Sequence, residues 1–148
     1  MTQQTIELRE MQPVDYDAVF ALMQNTPGIR LRNADSAAAT RRYLHRNPGL
    51  SFVAETDAGV VGCAMAGHDG RRGYLQHVIV APPYRSRGLA RRLVACCIRA
   101  LEAAGIEKIH LDVMSGNAEA MTFWAHLGWH QREDLVRFSL ITSGDPDA

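Results

Sequence analysis

No run in the chain approaches the ~18 consecutive apolar residues of a membrane-spanning helix. The first ten residues lack a basic stretch followed by an apolar one, so no secretory signal is expected and a cytoplasmic location follows. Cysteine is scarce: Cys63, Cys96 and Cys97 are odd in number and two are adjacent, which makes neither a disulfide framework nor a C-x-x-C redox pair. Cys96 and Cys97 fall in mid-helix, away from the helix N-terminus or basic neighbour that a reactive thiol wants, and all three read as small core fillers. Charge of one sign is not in excess, since 16 Lys and Arg balance 16 Asp and Glu; this argues against nucleic acid as a general partner. A metal is not expected either. His126 and His130 stand four apart, but Gly128 between them should end the helix that would align them, and no Cys pair or second carboxylate completes a set.

What is present is the composition of an ordinary globular chain. With 148 residues and 47% hydrophobic content, there is enough apolar surface for one core and one domain. That core is expected from about Ile6 to Ile141, with residues 142–148 as a frayed tail. Ile6 to Arg9 reads as a first strand, and Asp15 as the cap of a helix that runs to about Gln24 and stops at Pro27-Gly28. A second helix starts after Asp35 or Ser36 and ends before Asn47-Pro48-Gly49. Ser51–Thr56 and Val60–Ala66 form a hairpin across Asp57-Ala58-Gly59, and a turn at residues 68–73 leads to the strand Tyr74–Val80. Leu89, Leu93, Cys97 and Leu101 then recur along one face of a long helix that Gly105 ends. Ile109–Met114 alternates as a strand, Asn117 caps a helix closed by Gly128, and Leu135–Ile141 reads as a final strand. Hairpins followed by strand, helix, strand and helix predict an α/β fold on a mixed, largely antiparallel sheet flanked by helices.

The strongest chemical signal is local. From Arg71 to Leu101 there are seven arginines and no carboxylate, a field suited to one compact polyanion. Within it, Arg85-Ser86-Arg87-Gly88-Leu89-Ala90 stands between a strand and the start of the long helix. The first turn of a helix has amide hydrogens without intrahelical partners and about half a positive charge from the aligned peptide dipoles. Gly88 removes the side chain that would keep a phosphate away, and Ala90 keeps the next turn small. There is no G-K-[ST], so this is not a nucleoside-triphosphate loop.

The six residues fit the R-x-x-G-x-A form of the motif of the GNAT superfamily of N-acetyltransferases, and the chain resembles that family from about Ile6 to Ile141. Asn117 to Trp129 is similar to its second signature, N-x-x-A-x-x-L-Y-x-x-L-G-F. The resemblance implies that acetyl-CoA is the co-substrate and an amine the acceptor. Arg85, Ser86, Arg87, Gly88, Leu89 and Ala90 would hold the pyrophosphate. The fourth and fifth strands would splay, with the pantetheine arm laid along Val78, Ile79 and Val80 and the thioester carbonyl polarised by an amide near Val80. Asn117 would hydrogen-bond the arm, or serve only as a helix cap, and Phe123 and Trp124 would pack beside it.

An alkyl ammonium must lose a proton before it attacks. Asp112 is the first candidate for that base, matching a Glu in the L-E-V-R stretch of ribosomal-protein N-terminal acetyltransferases; the plain alternative is a carboxylate satisfied by a loop or by an arginine. His77 is the second, as a proton relay, against the plain reading of a half-buried strand histidine. Trp124 stands where many relatives carry the Tyr that protonates the leaving sulfur, and an indole is no acid at neutral pH; Tyr74 and Tyr84 are the nearby hydroxyls. The fourth strand lacks the glutamate of the histone-modifying branch. Arg30 and Arg32 between the first two helices, and Arg71 and Arg72 in the hairpin turn, are placed to hold a carboxylate or phosphate of the acceptor. The expected reaction is therefore acetyl transfer to a primary amine of a small molecule. A peptide N-terminus is the alternative acceptor, a non-catalytic acyl-CoA-binding module the alternative class, and a homodimer is admitted.

Overall fold

The computed structural model describes residues 4–148. Five strands lie across one sheet in chain order: β1 (Glu7–Glu10), β2 (Phe52–Thr56), β3 (Gly59–His68), β4 (Gly73–Val80) and β5 (Ile109–His110). Neighbours from β1 to β4 are antiparallel and β4 pairs with β5 in parallel, which is the mixed, largely antiparallel architecture anticipated. Short turns make the antiparallel part. In the β3–β4 turn the Asp69 carboxylate accepts the amides of Arg71 and Arg72, both at 2.8 Å, a side chain standing in for the missing ladder bonds. The parallel pair needs a crossover, and α3 (Leu89–Ala103) supplies it.

Three helices cover the two faces of β1–β4. Leu89, Leu93, Cys97 and Leu101 of α3 are each at most 2% exposed and pack with Ala54, Ala64, Ala66, Leu75 and Val80. On the opposite face α1 (Tyr16–Gln24) and α2 (Ala37–Arg46) bury Val19, Met23 and Leu44 against Val53, Cys63, Met65 and Ile79. Each fully buried aliphatic side chain contributes roughly 2 kcal/mol. Ser36 caps α2 by accepting the Ala39 amide at 3.2 Å, and Gly105, at φ 86°, ends α3 as Ile106 donates back to the Leu101 carbonyl at 3.0 Å. A fourth helix, α4 (Ala118–His126), follows β5.

One irregularity in β4 positions the site. Leu75 and Val80 lie in the same core cluster although they are five residues apart, whereas a regular strand sends residues an odd distance apart to opposite faces. Between them Met65 pairs with Gln76 and Cys63 with Ile79, so His77 and Val78 together oppose Ala64. This is a β-bulge, and its surplus residue His77 has φ 49°.

The C-terminal third departs from the expected pattern. β5 is two residues long instead of reaching Met114, and Leu135–Ile141 forms no strand. Among the described residues no backbone amide or carbonyl of residues 130–144 is paired with another backbone group. With β5 ending at His110, the chain offers that segment no ladder to join, and β-propensity without a partner edge makes no strand. Val136, Phe138 and Leu140 are consequently 82–94% exposed. The tail read as frayed is tied down instead: Arg30 meets the Asp147 carboxylate at 3.1 Å, Arg32 donates to the Pro146 carbonyl at 2.9 Å, and Asn33 donates to Asp145 at 2.9 Å.

Candidate active site

Because β5 pairs only with the first two residues of β4, the rest of β4 has an open edge facing residues 111–114. A cleft of about 840 Å³ fills the gap. Val78, Ile79 and Val80 form one wall, Leu111 to Met114 the other, Arg85 and Ala90 contribute from the start of α3, and Asn117, Phe123 and Trp124 from α4. Arg85 Nε donates to the Val80 carbonyl at 2.8 Å, and the next amide, of Ala81, donates to Val61 of β3 at 2.8 Å. Peptide groups alternate sides along a strand, so the Val80 amide shares the open side with its own carbonyl.

The turn from Arg85 to Ala90 has a left-handed backbone at two positions. Gly88 is the N-cap of α3 at φ 75°, and Ser86 two residues earlier has φ 63°. Among the described residues the amides of Ser86, Arg87, Gly88, Leu89, Ala90 and Arg91 have no hydrogen-bond acceptor; the first paired amide is that of Arg92, donating to Gly88 at 3.1 Å. A Cβ added at Gly88 would meet nothing within 4 Å. The glycine therefore serves its left-handed backbone and leaves space outside the protein, which is the space a diphosphate would take. Arg87 lies over the Tyr84 ring at 5.5 Å.

Comparison with known proteins gives the family. A family model described as Acetyltransferase (GNAT) family matches residues 16–129. An acetyltransferase of Pectobacterium atrosepticum is 32% identical over 139 residues, 94% of each chain. One from Sodalis glossinidius is 31% identical over 131 residues, 88% of this chain and 92% of its own. The chain belongs to the GNAT family of acetyltransferases. As a member it is an acetyl-CoA-dependent N-acetyltransferase. Among solved structures, an aminoglycoside N-acetyltransferase in complex with CoA superposes with a TM-score of 0.75 at 22% identity, covering 94% of this chain and 97% of that one. The ribosomal-protein-S18-alanine N-acetyltransferase from Escherichia coli gives 0.68 at 21% identity, over 84% and 77%. At such identities these two share the fold.

The GNAT cleft brings together most of the residues singled out from the sequence. The Asn117 carboxamide oxygen caps α4 by accepting the Ala120 amide at 3.0 Å, while its NH2 group has no partner among the described residues. Trp124 packs edge-on between Phe123 and Trp129, with ring centroids 5.0 and 5.2 Å away. Asp112 lines the cleft but is 69% exposed and paired with the Arg137 guanidinium at 2.9 Å, the satisfied arrangement that was the plain alternative for it. Of the hydroxyls, Tyr84 donates to Gln4 at 2.8 Å and the Tyr74 ring lies tilted beside His110; neither lines the cleft. Arg71 and Arg72 lie on the exposed β3–β4 turn, also off it. Burial pushes the thiols of Cys63 and Cys97 up to about 12, so neither supplies a thiolate nucleophile at neutral pH.

His77 also lines the cleft and has a buried carboxylate as its partner. Its Nε2 lies 2.8 Å from Asp35 Oδ1, while Asp35 Oδ2 accepts the Arg32 amide at 2.9 Å and the Tyr16 hydroxyl donates to the Asp35 carbonyl at 2.7 Å. Asp35 is 8% exposed. Sequence reading gave Asp35 only as a helix-start residue. Nothing in the spacing joins it to a strand residue 42 positions on, and the bulge that presents His77 leaves no mark in the pattern of Tyr74–Val80.

Proposed function

We propose that this acetyltransferase moves the acetyl group of acetyl-CoA to the primary amine of a small molecule, by direct attack in a ternary complex, with His77 removing the amine's proton. The observation that supports it most is a single cleft lined at once by Ala90 of the free-amide turn, the open β4 edge and a hydrogen-bonded imidazole. Acetyl-CoA supplies an activated acyl carbon. The turn from Ser86 to Arg91 offers six amides to its diphosphate, Val78 to Val80 offer an unpaired edge to the pantetheine arm, and the Asn117 NH2 group has a free donor for it. The Val80 amide is the donor we assign to the thioester oxygen. His77 is preferred to Asp112 because it is less exposed and not neutralised by an arginine. With Trp124 in the tyrosine's place and no tyrosine lining the cleft, the departing thiolate takes its proton from water.

We assign a small acceptor to the Arg30 and Arg32 loop, whose neighbours Thr26 to Ile29 line the cleft although the two arginines do not. Its cations already hold the carboxylate of Asp147 and the carbonyl of Pro146, chemistry that a carboxylate or phosphate on the acceptor would reproduce. Thiol release measured across amino acids, polyamines and aminoglycosides, beside a panel of peptides, tests the reading. Turnover confined to peptides would replace it with N-terminal protein acetylation, and CoA-dependent thermal stabilisation without turnover on any amine would leave a binding module. Removing the charges of Arg30 and Arg32 without changing acceptor KM would reject their role.

The exposed run from Leu135 to Ile141 supports a homodimer in which a second copy pairs with this unsatisfied backbone. Light scattering on the wild type and on Phe138→Asp checks it: a wild-type monomer, or a dimer indifferent to the substitution, rejects it.

A further inference from the structure

We infer that Asp35 is the positioning residue of this site, fixing the tautomer of His77 so that Nδ1 is the basic nitrogen offered to the amine. The inference rests on the reading of His77 given above. A carboxylate accepts hydrogen bonds and donates none. The 2.8 Å contact between Asp35 Oδ1 and His77 Nε2 therefore places the ring hydrogen on Nε2, and the lone pair is left on Nδ1. Among the described residues Nδ1 has no partner, and His77 lines the cleft. The acceptor's ammonium then gives one proton to Nδ1, becoming a neutral amine. The imidazolium so formed has both nitrogens protonated, its new charge is compensated by the carboxylate, and the proton passes on to solvent.

The carboxylate is held for this task from several sides. Asp35 closes a 3-10 turn (Asn33–Asp35), its second oxygen taken by the Arg32 amide and its carbonyl by the Tyr16 hydroxyl. Turning away from His77 would cost it the bond to the Arg32 amide as well. His77 is held equally: as the surplus residue of the bulge it sits at φ 49°, and its own carbonyl accepts from the Cys63 thiol at 3.2 Å. A left-handed histidine is a strained conformation that persists when its surroundings determine it, and here the bulge and Asp35 together do so.

Asp35→Asn tests the assignment. An asparagine of the same shape keeps an oxygen for the Arg32 amide and turns its NH2 toward His77, which forces Nε2 to accept and moves the ring hydrogen to Nδ1. The expected result is a fall in kcat of roughly a hundredfold, with acceptor KM and CoA affinity unchanged. Nitrogen chemical shifts of labelled His77, recorded with the ring neutral, should show the hydrogen on Nε2 in the wild type and on Nδ1 in the variant. A wild-type ring carrying its hydrogen on Nδ1 would overturn the inference, and so would a variant with shifted tautomer and wild-type kcat. The wild-type shifts need neither a folded variant nor turnover, so a failure to acetylate any amine counts against the proposed function and leaves the tautomer decided separately.

Discussion

The molecule uses the same turn twice, with different partners for its aspartate. In the first copy, Pro13–Asp15, the Asp15 carboxylate accepts the amide of Gln12 at 2.8 Å and meets both terminal nitrogens of Arg9, at 2.8 and 2.9 Å. In the second, Asn33–Asp35, the carboxylate accepts the amide of Arg32 and meets His77. Both aspartates are buried and both turns lead into a helix on the same face of the sheet. The first partner is permanently charged, reaches on to Glu55 on β2 and touches no cleft. The second is an imidazole, and it lines one. One local device ties the edge of the sheet in the first position and aims an imidazole in the second; the partner's chemistry decides which.

The comparison breaks if the two aspartates prove interchangeable in effect. The largest expected difference is in stability. Asp15→Ala leaves the half-buried Arg9 guanidinium with Glu55 alone and the Gln12 amide unpaired, and should cost about 2 kcal/mol, read by urea unfolding, while kcat of the folded enzyme stays at its wild-type value. His77→Gln should do the reverse, lowering kcat roughly a hundredfold with a stability change below about 1 kcal/mol. A control outside both turns separates cofactor capture from either: Gly88→Val puts a branched side chain on a left-handed residue beside the free amides. It should weaken CoA about tenfold by calorimetry, by strain and obstruction together, and leave the nitrogen shifts of His77 in place.

The smallest effect is one of pH. The hydrogen bonds from Arg9, helped by that from the Gln12 amide and opposed by burial, hold the Asp15 carboxyl below the ordinary carboxylate range. A depressed acid contributes stability that is complete above its unfolded value, near 3.9, and is lost as pH falls through the folded one. Unfolding free energies between pH 6 and pH 3 should therefore fall less steeply in Asp15→Asn than in the wild type. An unchanged slope would remove the ion pair from the account of the first turn.

How far the sequence carried differs between the two turns as well. The four-residue spacing of Leu89, Leu93, Cys97 and Leu101 marks a buried helix face because that period has one structural meaning at this length, and the glycine before it marks where the helix starts. Asn117 and Gly128 bound α4 for the same local reasons. Asp15 and Asp35 are visible as helix-start residues, but their partners are set by tertiary packing. Arg9 is near in the chain; His77 reaches Asp35 through a bulge that no residue of β4 announces. The run from Leu135 to Ile141 shows the opposite failure: its alternation is sound as a pattern, and the ladder it would complete is absent from the fold.

The surplus residue of β4 has a consequence for how this scaffold tolerates change. Strand residues before and after it are out of phase by one step. A single deletion anywhere from Gln76 to Val78 would straighten the ladder and, with Leu75 and Val80 then four apart, leave Ile79 and Val80 on their present faces, but it would remove the left-handed bulge position that holds His77. Length, at that one point, is as much a constraint on the protein as the identity of any side chain.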